Sequence, residues 1–114
     1  MGRGLSDLQK TILKLAAANA ARGVGVDNGV HLYASEVMIA VYDFKVTGWR
    51  DTVGSHKFDV SVIGEGKYQA AAAAISRAFA RLEARGRVMR YSGAVSHWSG
   101  IALTDLGQST ARLL

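Results

Sequence analysis

Two stretches near the carboxyl end constrain the fold of this chain more than any other part of its sequence. The first stretch runs Ile75-Ser-Arg-Ala-Phe-Ala-Arg-Leu-Glu-Ala-Arg-Gly-Arg-Val-Met-Arg-Tyr91, and the second runs Ile101-Ala-Leu-Thr-Asp-Leu-Gly107. In order, they predict a helix stopped by Gly86, a strand, a polar tip, a second strand and a new helix capped by Thr104. They indicate a single domain over 1–114 that is mainly α with a small β-hairpin, in the α+β class.

The helix before the hairpin is predicted over residues 67–86, with the hairpin over 88–103. Apolar residues recur in this helix at helical spacing, and the alanines at 70–74 favour it further. Its predicted buried residues are Tyr68, Ala71, Ile75, Ala78, Phe79 and Leu82. In a small basic protein, this order is typical of a winged helix-turn-helix, which places one helix in a groove of DNA.

The amino-terminal part supplies two further helices. Ser6 is predicted to cap the first one, which ends at Arg22-Gly23. Its predicted buried residues are Leu5, Leu8, Ile12, Leu15 and Ala16, whereas Gln9, Lys10 and Lys14 face solvent. A short strand at Val30–Tyr33 leads to Ser35, the predicted cap of the second helix. That helix fades by Phe44, and its predicted buried residues are Val37, Met38, Val41 and Tyr42.

Residues 45–66 are predicted to form a long loop insertion, because a helix-turn-helix joins its helices by only a few residues. Glycines break this segment at positions 48, 54, 64 and 66. Phe58, Val60 and Val62 alternate as in a strand, but Asp59 is equally suited to cap a short helical turn. Both interpretations remain open. Long insertions in compact domains are usually functional or mobile.

The formal net charge of +5 is concentrated in one region of the chain. Between Glu65 and Arg90 there are six basic residues and two acidic ones. Charge gathered on one helix and the following strand is typical of a protein that binds a polyanion. A solvated helix face is the alternative, and nucleic acid is favoured because the charge coincides with the predicted recognition helix.

The exposed face of the predicted recognition helix carries residue types that suit a DNA groove. Gln69 could read adenine, Arg77 could read guanine or bind a phosphate, and Ala73 is small enough to let the backbone approach base edges. Lys67 lies at the helix start, where backbone amides also favour phosphate. Arg81 and Arg85 lie further along and are predicted to be surface residues or to contact backbone phosphates. The predicted DNA-binding residues of the helix are Lys67, Gln69, Ala73, Ser76, Arg77 and Arg81.

The hairpin supplies the remaining predicted DNA contacts. Arg90 lies on its first strand, and Ser92, Ser96 and His97 cluster at its tip, where small polar and cationic groups suit a minor groove or phosphates. A surface histidine that only forms a hydrogen bond is the alternative for His97. Trp98 is predicted to pack in the hairpin and not to stack on bases.

The run from Ser76 to Arg90, together with Leu103-Thr-Asp-Leu-Gly107, resembles winged-helix transcription regulators of the MarR type. Those proteins share Ser-Arg, Arg-Leu-Glu and Arg-Gly in this helix, and Leu-Thr with a glycine after the wing. The resemblance covers about residues 67–107 and implies that Ser76, Arg77 and Arg90 contact DNA. Three departures stand out: Arg87 replaces an apolar residue, the 45–66 insertion is extra, and the flanking helices that build a dimer and an effector pocket are shorter. A small-molecule effector pocket of the MarR type is therefore not expected.

Other functional classes find little support in the sequence. The chain has no cysteine, and its three histidines lie far apart without metal-ligand spacing. No nucleophile elbow or phosphate-binding loop is present, so neither an enzyme nor a cofactor is expected. No signal core precedes the first helix, and no run approaches the ~18 apolar residues of a membrane span. A cytoplasmic protein without a membrane partner is the expectation.

The sequence thus predicts a sequence-specific double-stranded DNA-binding protein, and more narrowly a prokaryotic transcription regulator. The alternative is a winged helix that serves as a protein-interaction module or as an accessory protein of replication or partition. A homodimer is also predicted, because one recognition helix covers few base pairs. The candidate dimer contacts are Leu106, Leu113 and Leu114.

Overall fold

Helices dominate the structure, a computed structural model that describes residues 4–26, 28–49, 56–93 and 98–114. The helices are α1 (Asp7–Ala21), α2 (Ala34–Tyr42), α3 (Val60–Ile63), α4 (Glu65–Ala84) and α5 (Asp105–Arg112). The strands are β1 (Leu32–Tyr33), β2 (Val46–Trp49), β3 (His56–Phe58), β4 (Val88–Ser92) and β5 (Ser99–Leu103). The prediction of a mainly α protein with a small β-hairpin is confirmed. No helix in these ranges is long and apolar enough to cross a membrane.

Strand β5 is the centre of a three-stranded antiparallel sheet with the order β1-β5-β4. On one side Val88 pairs with Leu103 and Arg90 with Ile101, and on the other side Leu32 also pairs with Ile101. A separate hairpin pairs β2 with β3. The central position of β5 means that both neighbouring strands take their register from it.

The core lies between the inner face of α4 and the other helices and sheet. All the apolar residues of α4 predicted to be buried are buried, except Tyr68, which is partly buried against the core. Phe79 and Leu82 of α4 are fully enclosed, as are Ile12 of α1, Val37 of α2 and Ile101 of β5. Because the buried residues of α4 lie along one side of the helix, the opposite side of α4 faces solvent.

Helix α1 begins at the predicted cap but faces the core differently from the prediction. The Ser6 hydroxyl accepts from the amide of Gln9 at 3.1 Å, and the Gln9 side chain accepts from the amide of Ser6 at 3.3 Å. This reciprocal bonding draws Gln9 inward, so its predicted exposure is wrong. Leu13, absent from the predicted set, is fully buried, whereas Leu8 and Leu15 are only partly buried.

Helix α2 begins earlier than predicted, and Ser35 is not its cap. The cap position belongs to Tyr33, whose amide donates to the carboxylate of Glu36 at 2.9 Å. The Ser35 hydroxyl instead lies 2.9 Å from Nδ1 of His56. Val41 was predicted to be buried, but it lies on the solvent side of α2 with 41% of its surface exposed.

The segment 45–66 was predicted to be a loop, and its described residues instead form β2, β3, α3 and the start of α4. Of the two interpretations left open for this segment, the helical turn is the one found. Asp59 caps α3 by accepting from the backbone amide of Ser61 at 3.1 Å. The Ser61 hydroxyl also donates to Asp59 and, together with backbone hydrogen bonds, lowers the pKa of that carboxyl. Helix α4 begins at Glu65, two residues before the predicted start.

The end of α4 and the start of α5 are fastened together through Thr104. Its hydroxyl donates to the carbonyl of Gly86 at 2.6 Å and accepts from the amide of Gly107 at 3.1 Å. The Thr104 amide donates to the carbonyl of Arg87 at 3.1 Å. We call these contacts the Thr104 clasp. Gly86 belongs to the Arg-Gly pair after the helix, and Thr104 and Gly107 belong to the Leu-Thr-Asp-Leu-Gly run. These two sequence motifs are therefore joined at the base of the hairpin.

Leu82→Ala should lower the free energy of unfolding by about 2–5 kcal/mol, because it opens a cavity in the core. Val62→Ala is the control, since 81% of Val62 is exposed, and it should cost about 0.5 kcal/mol or less. Thermal or urea unfolding measures both. Equal stability losses would mean that the inner face of α4 is assigned wrongly.

Gly107→Ala should destabilise the protein by about 1–3 kcal/mol or more, because the new methyl group meets backbone. A Cβ at this position would lie 1.9 Å from the carbonyl oxygen of Arg87. Ser109→Ala, at an exposed position of the same helix, should change stability by no more than about 0.5 kcal/mol. A Gly107→Ala protein as stable as this control would contradict the close approach at the clasp.

Candidate nucleic-acid interface

The outward face of α4 has a neutral central strip. We define it by the four residues Gln69, Ala73, Ser76 and Ala80, all of which are exposed. Each residue advances an α-helix by about 100°, so positions three, four and seven apart share one face. The strip has two short polar side chains and two methyl groups and carries no charge. Another molecule can therefore approach the helix backbone closely along it.

Arg77 borders this strip on one side and begins a row of arginines that turns away from the strip by about 40° at each step. Arg77, Arg81 and Arg85 follow one another at four-residue spacing, and all three are exposed. Within the described ranges, the only ion pair is between Lys45 and Asp43, so none of these guanidinium groups is neutralised there by a carboxylate. The row presents cationic charge over about two turns of the helix.

Arg90 borders the neutral strip on its other side. It lies on β4, but its side chain folds back over α4, where Nη2 donates to the Ser76 hydroxyl at 3.2 Å. Its guanidinium carbon lies 6.0 Å from the centre of the Phe79 ring, and its amide donates to Glu83 at 3.0 Å. These contacts hold the cation beside the helix. Arg90 therefore belongs with the α4 face and not with the hairpin tip.

Lys67 is exposed in the first turn of α4, as the prediction of a helix-start lysine requires. Glu65 occupies the same turn, however, because the helix begins two residues earlier than predicted. A phosphate at this end would meet a carboxylate as well as an ammonium group. The helix start is thus a weaker anion site than the predicted boundaries implied.

The hairpin residues are only partly covered by the structure. Ser92 ends β4 and is exposed, whereas Ser96 and His97 lie outside the described residues. Trp98 packs as predicted, since its ring meets that of Tyr33 edge-on with 5.6 Å between centres. Arg87 does not join the α4 face, because its Nε donates to the hydroxyl of Thr110 on α5 at 3.2 Å.

Glu83 and the apolar outer side of β4 are functional features that were not predicted from the sequence. Glu83 lies seven residues after Ser76, so both residues lie on the same side of α4, and the contacts with Arg90 are seen only in the structure. Met89 and Tyr91 are exposed on β4, by 54% and 38%, and the Tyr91 hydroxyl lies 3.9 Å from the Met89 sulfur. The alternation along the strand was the available signal for these two residues.

No group of three or more potential metal ligands comes together within the described parts of the chain. Comparisons of the chain with models of known protein families, with curated proteins and with solved structures find no match. Function is therefore inferred from the arrangement of the α4 face.

Proposed function

We propose that the protein binds double-stranded DNA sequence-specifically through the outward face of α4. The observation that supports this most is the neutral strip, which has Arg77 at one border and Arg90 at the other, the latter beside Glu83. The major groove of B-DNA is about 12 Å wide, so it admits one helix and is lined by phosphates on both edges. A helix with neutral groups at its centre and cations along its flanks complements that groove.

Each part of the face has a distinct role in this proposal. Gln69 and Ser76 reach base edges, while Ala73 and Ala80 allow a close approach and can contact thymine methyl groups. Arg81 and Arg85 bind phosphates of one strand, and Arg90 binds a phosphate across the groove. Arg77 lies next to the strip and reads a guanine. The Ser76 hydroxyl also fixes the direction of Arg90, which reduces the ordering cost of the contact.

The order of helices and strands supports a winged helix. Helices α1, α2 and α4 precede the β4–β5 hairpin, and β1 joins that hairpin in one sheet with β5 at its centre. In the proposed complex, the β4–β5 hairpin lies along the DNA flank as a wing. Ser92, the last residue of β4, lies towards the tip of this wing. A prokaryotic transcription regulator of the MarR-like kind is the role that this arrangement fits best.

A homodimer would double the number of base pairs that are read. Leu106, Leu113 and Leu114 are exposed by 49%, 87% and 39%, so they are accessible to a second copy. The dimer stays a prediction and is separate from the proposal that the α4 face binds DNA.

Binding to a mixed-sequence duplex should weaken steeply with salt. If Arg81, Arg85 and Arg90 each neutralise one phosphate, the logarithm of the association constant should fall with log salt with a slope of about −3. Arg81→Ala should make the slope shallower by about 1, because one phosphate contact is lost. Arg112→Ala on α5 is the matched control and should leave the slope unchanged. A salt-independent affinity, or no binding, would favour the protein-interaction alternative.

Arg77→Ala should weaken binding to a preferred duplex by about 1–3 kcal/mol, because a base contact is removed. Its effect on random-sequence DNA should be smaller, so the preference for one sequence should decrease. Fluorescence anisotropy with both duplexes measures this difference, and Arg112→Ala again serves as the control. An equal loss on both duplexes would make Arg77 a phosphate contact, and no loss on either would remove it from the interface.

A further inference from the structure

A cavity of about 230 Å³ lies beside the α4 face, between α2, α4, β3 and the start of β5. Aromatic rings form much of its wall, with Tyr33, Phe58, Tyr68, Phe79 and Trp98 all contributing. A cavity of about 150 Å³ lined by apolar groups already holds a benzene molecule. This cavity therefore has room for an aromatic molecule of one or two rings.

Hydroxyl groups and an imidazole interrupt the aromatic wall. Ser35 and His56 line the cavity as a pair, with 2.9 Å between the hydroxyl oxygen and Nδ1. Ser76 and Ser99 contribute two further hydroxyls, each able to donate or accept a hydrogen bond. The described lining residues include no aspartate, glutamate, lysine or arginine. A charged group placed among these rings would lose its hydration without an opposite charge to replace it, and only the Ser76 end of the cavity comes near a cation, that of Arg90.

The insertion supplies one wall of this cavity. His56 and Phe58 belong to β3, which the segment 45–66 contributes. The MarR-type effector pocket, which is not expected here, is built by flanking dimer helices, so this cavity is a different place in the molecule. Long insertions in compact domains often carry function, and lining a cavity gives this one a specific task.

We propose that this cavity binds a small uncharged aromatic molecule that carries one hydrogen-bonding group, such as a phenol hydroxyl or an indole N–H. Its ring packs among Phe58, Tyr68 and Trp98, and its polar group bonds to the cavity hydroxyls. Such a pocket, mostly apolar with a few convergent polar groups, is the usual form of a small-molecule site.

Ligand binding is tested without DNA, using indole as the probe. Nitrogen–proton correlation spectra of the labelled protein should show indole shifting the Trp98 side-chain resonance, with a Kd of about 1 mM or tighter. Ala72→Leu adds bulk to a cavity-lining position and should weaken binding at least about tenfold. Ala70→Leu is the matched control, because Ala70 is an exposed position of the same helix. Its effect should stay within about twofold.

The charge and location of the ligand give independent readouts. Tryptamine should bind at least about tenfold more weakly than indole, because the described lining offers its ammonium group no carboxylate and Arg90 places a second cation at the Ser76 end. If Ala72→Leu fails to fold, intermolecular NOEs between indole and the Phe58 and Trp98 rings of the wild-type protein locate the ligand. No saturable shift up to the solubility of indole, or NOEs to another part of the surface, would overturn the site.

Discussion

The Thr104 clasp is the interaction on which the geometry of the α4 face depends. One hydroxyl joins the carbonyl of Gly86, where α4 has ended, to the amide of Gly107, inside the first turn of α5. Between these two points lie β4 and β5, so the clasp closes the base of the hairpin and fixes Val88 opposite Leu103. That register places Arg90 on the part of β4 from which its side chain reaches Ser76.

The two faces of α4 are coupled by helical geometry. Ile75, Phe79 and Leu82 fix the rotation of the helix because each is fully buried, and a different rotation would expose them. The same rotation turns Gln69 and Ser76 outward and sets Arg77 beside them. The proposed site thus lies on a rigid helix whose core packing holds it in place, which suits readout of base edges better than a loop would.

The sequence patterns correctly predicted those structural features that depend on residues close together in the chain. The long periodicity of α4, the Ser6 and Thr104 caps and the glycine after α4 could all be read from neighbouring residues. Three features depended on distant partners and could not. Ser35 does not cap α2, because that position belongs to Tyr33, whose amide bonds to Glu36. The Ser35 hydroxyl lies beside His56 of segment 45–66 instead. The β2–β3 pairing requires strands separated in sequence, and the fold of Arg90 over α4 depends on a contact across fourteen positions. The cavity is also lined by residues that are distant in sequence, so no local sequence motif predicts it.

Selection of bound sequences from a pool of random duplexes tests the central claim most directly. If the α4 face reads base edges, repeated rounds should enrich one short motif, and a dimer would add a second copy about one helical turn away. The Arg77→Ala protein should lose the preference at one position of that motif. A pool that remains random after selection, although the protein retains DNA at low salt, would mean that the arginines bind phosphates alone. It would contradict sequence-specific recognition by α4.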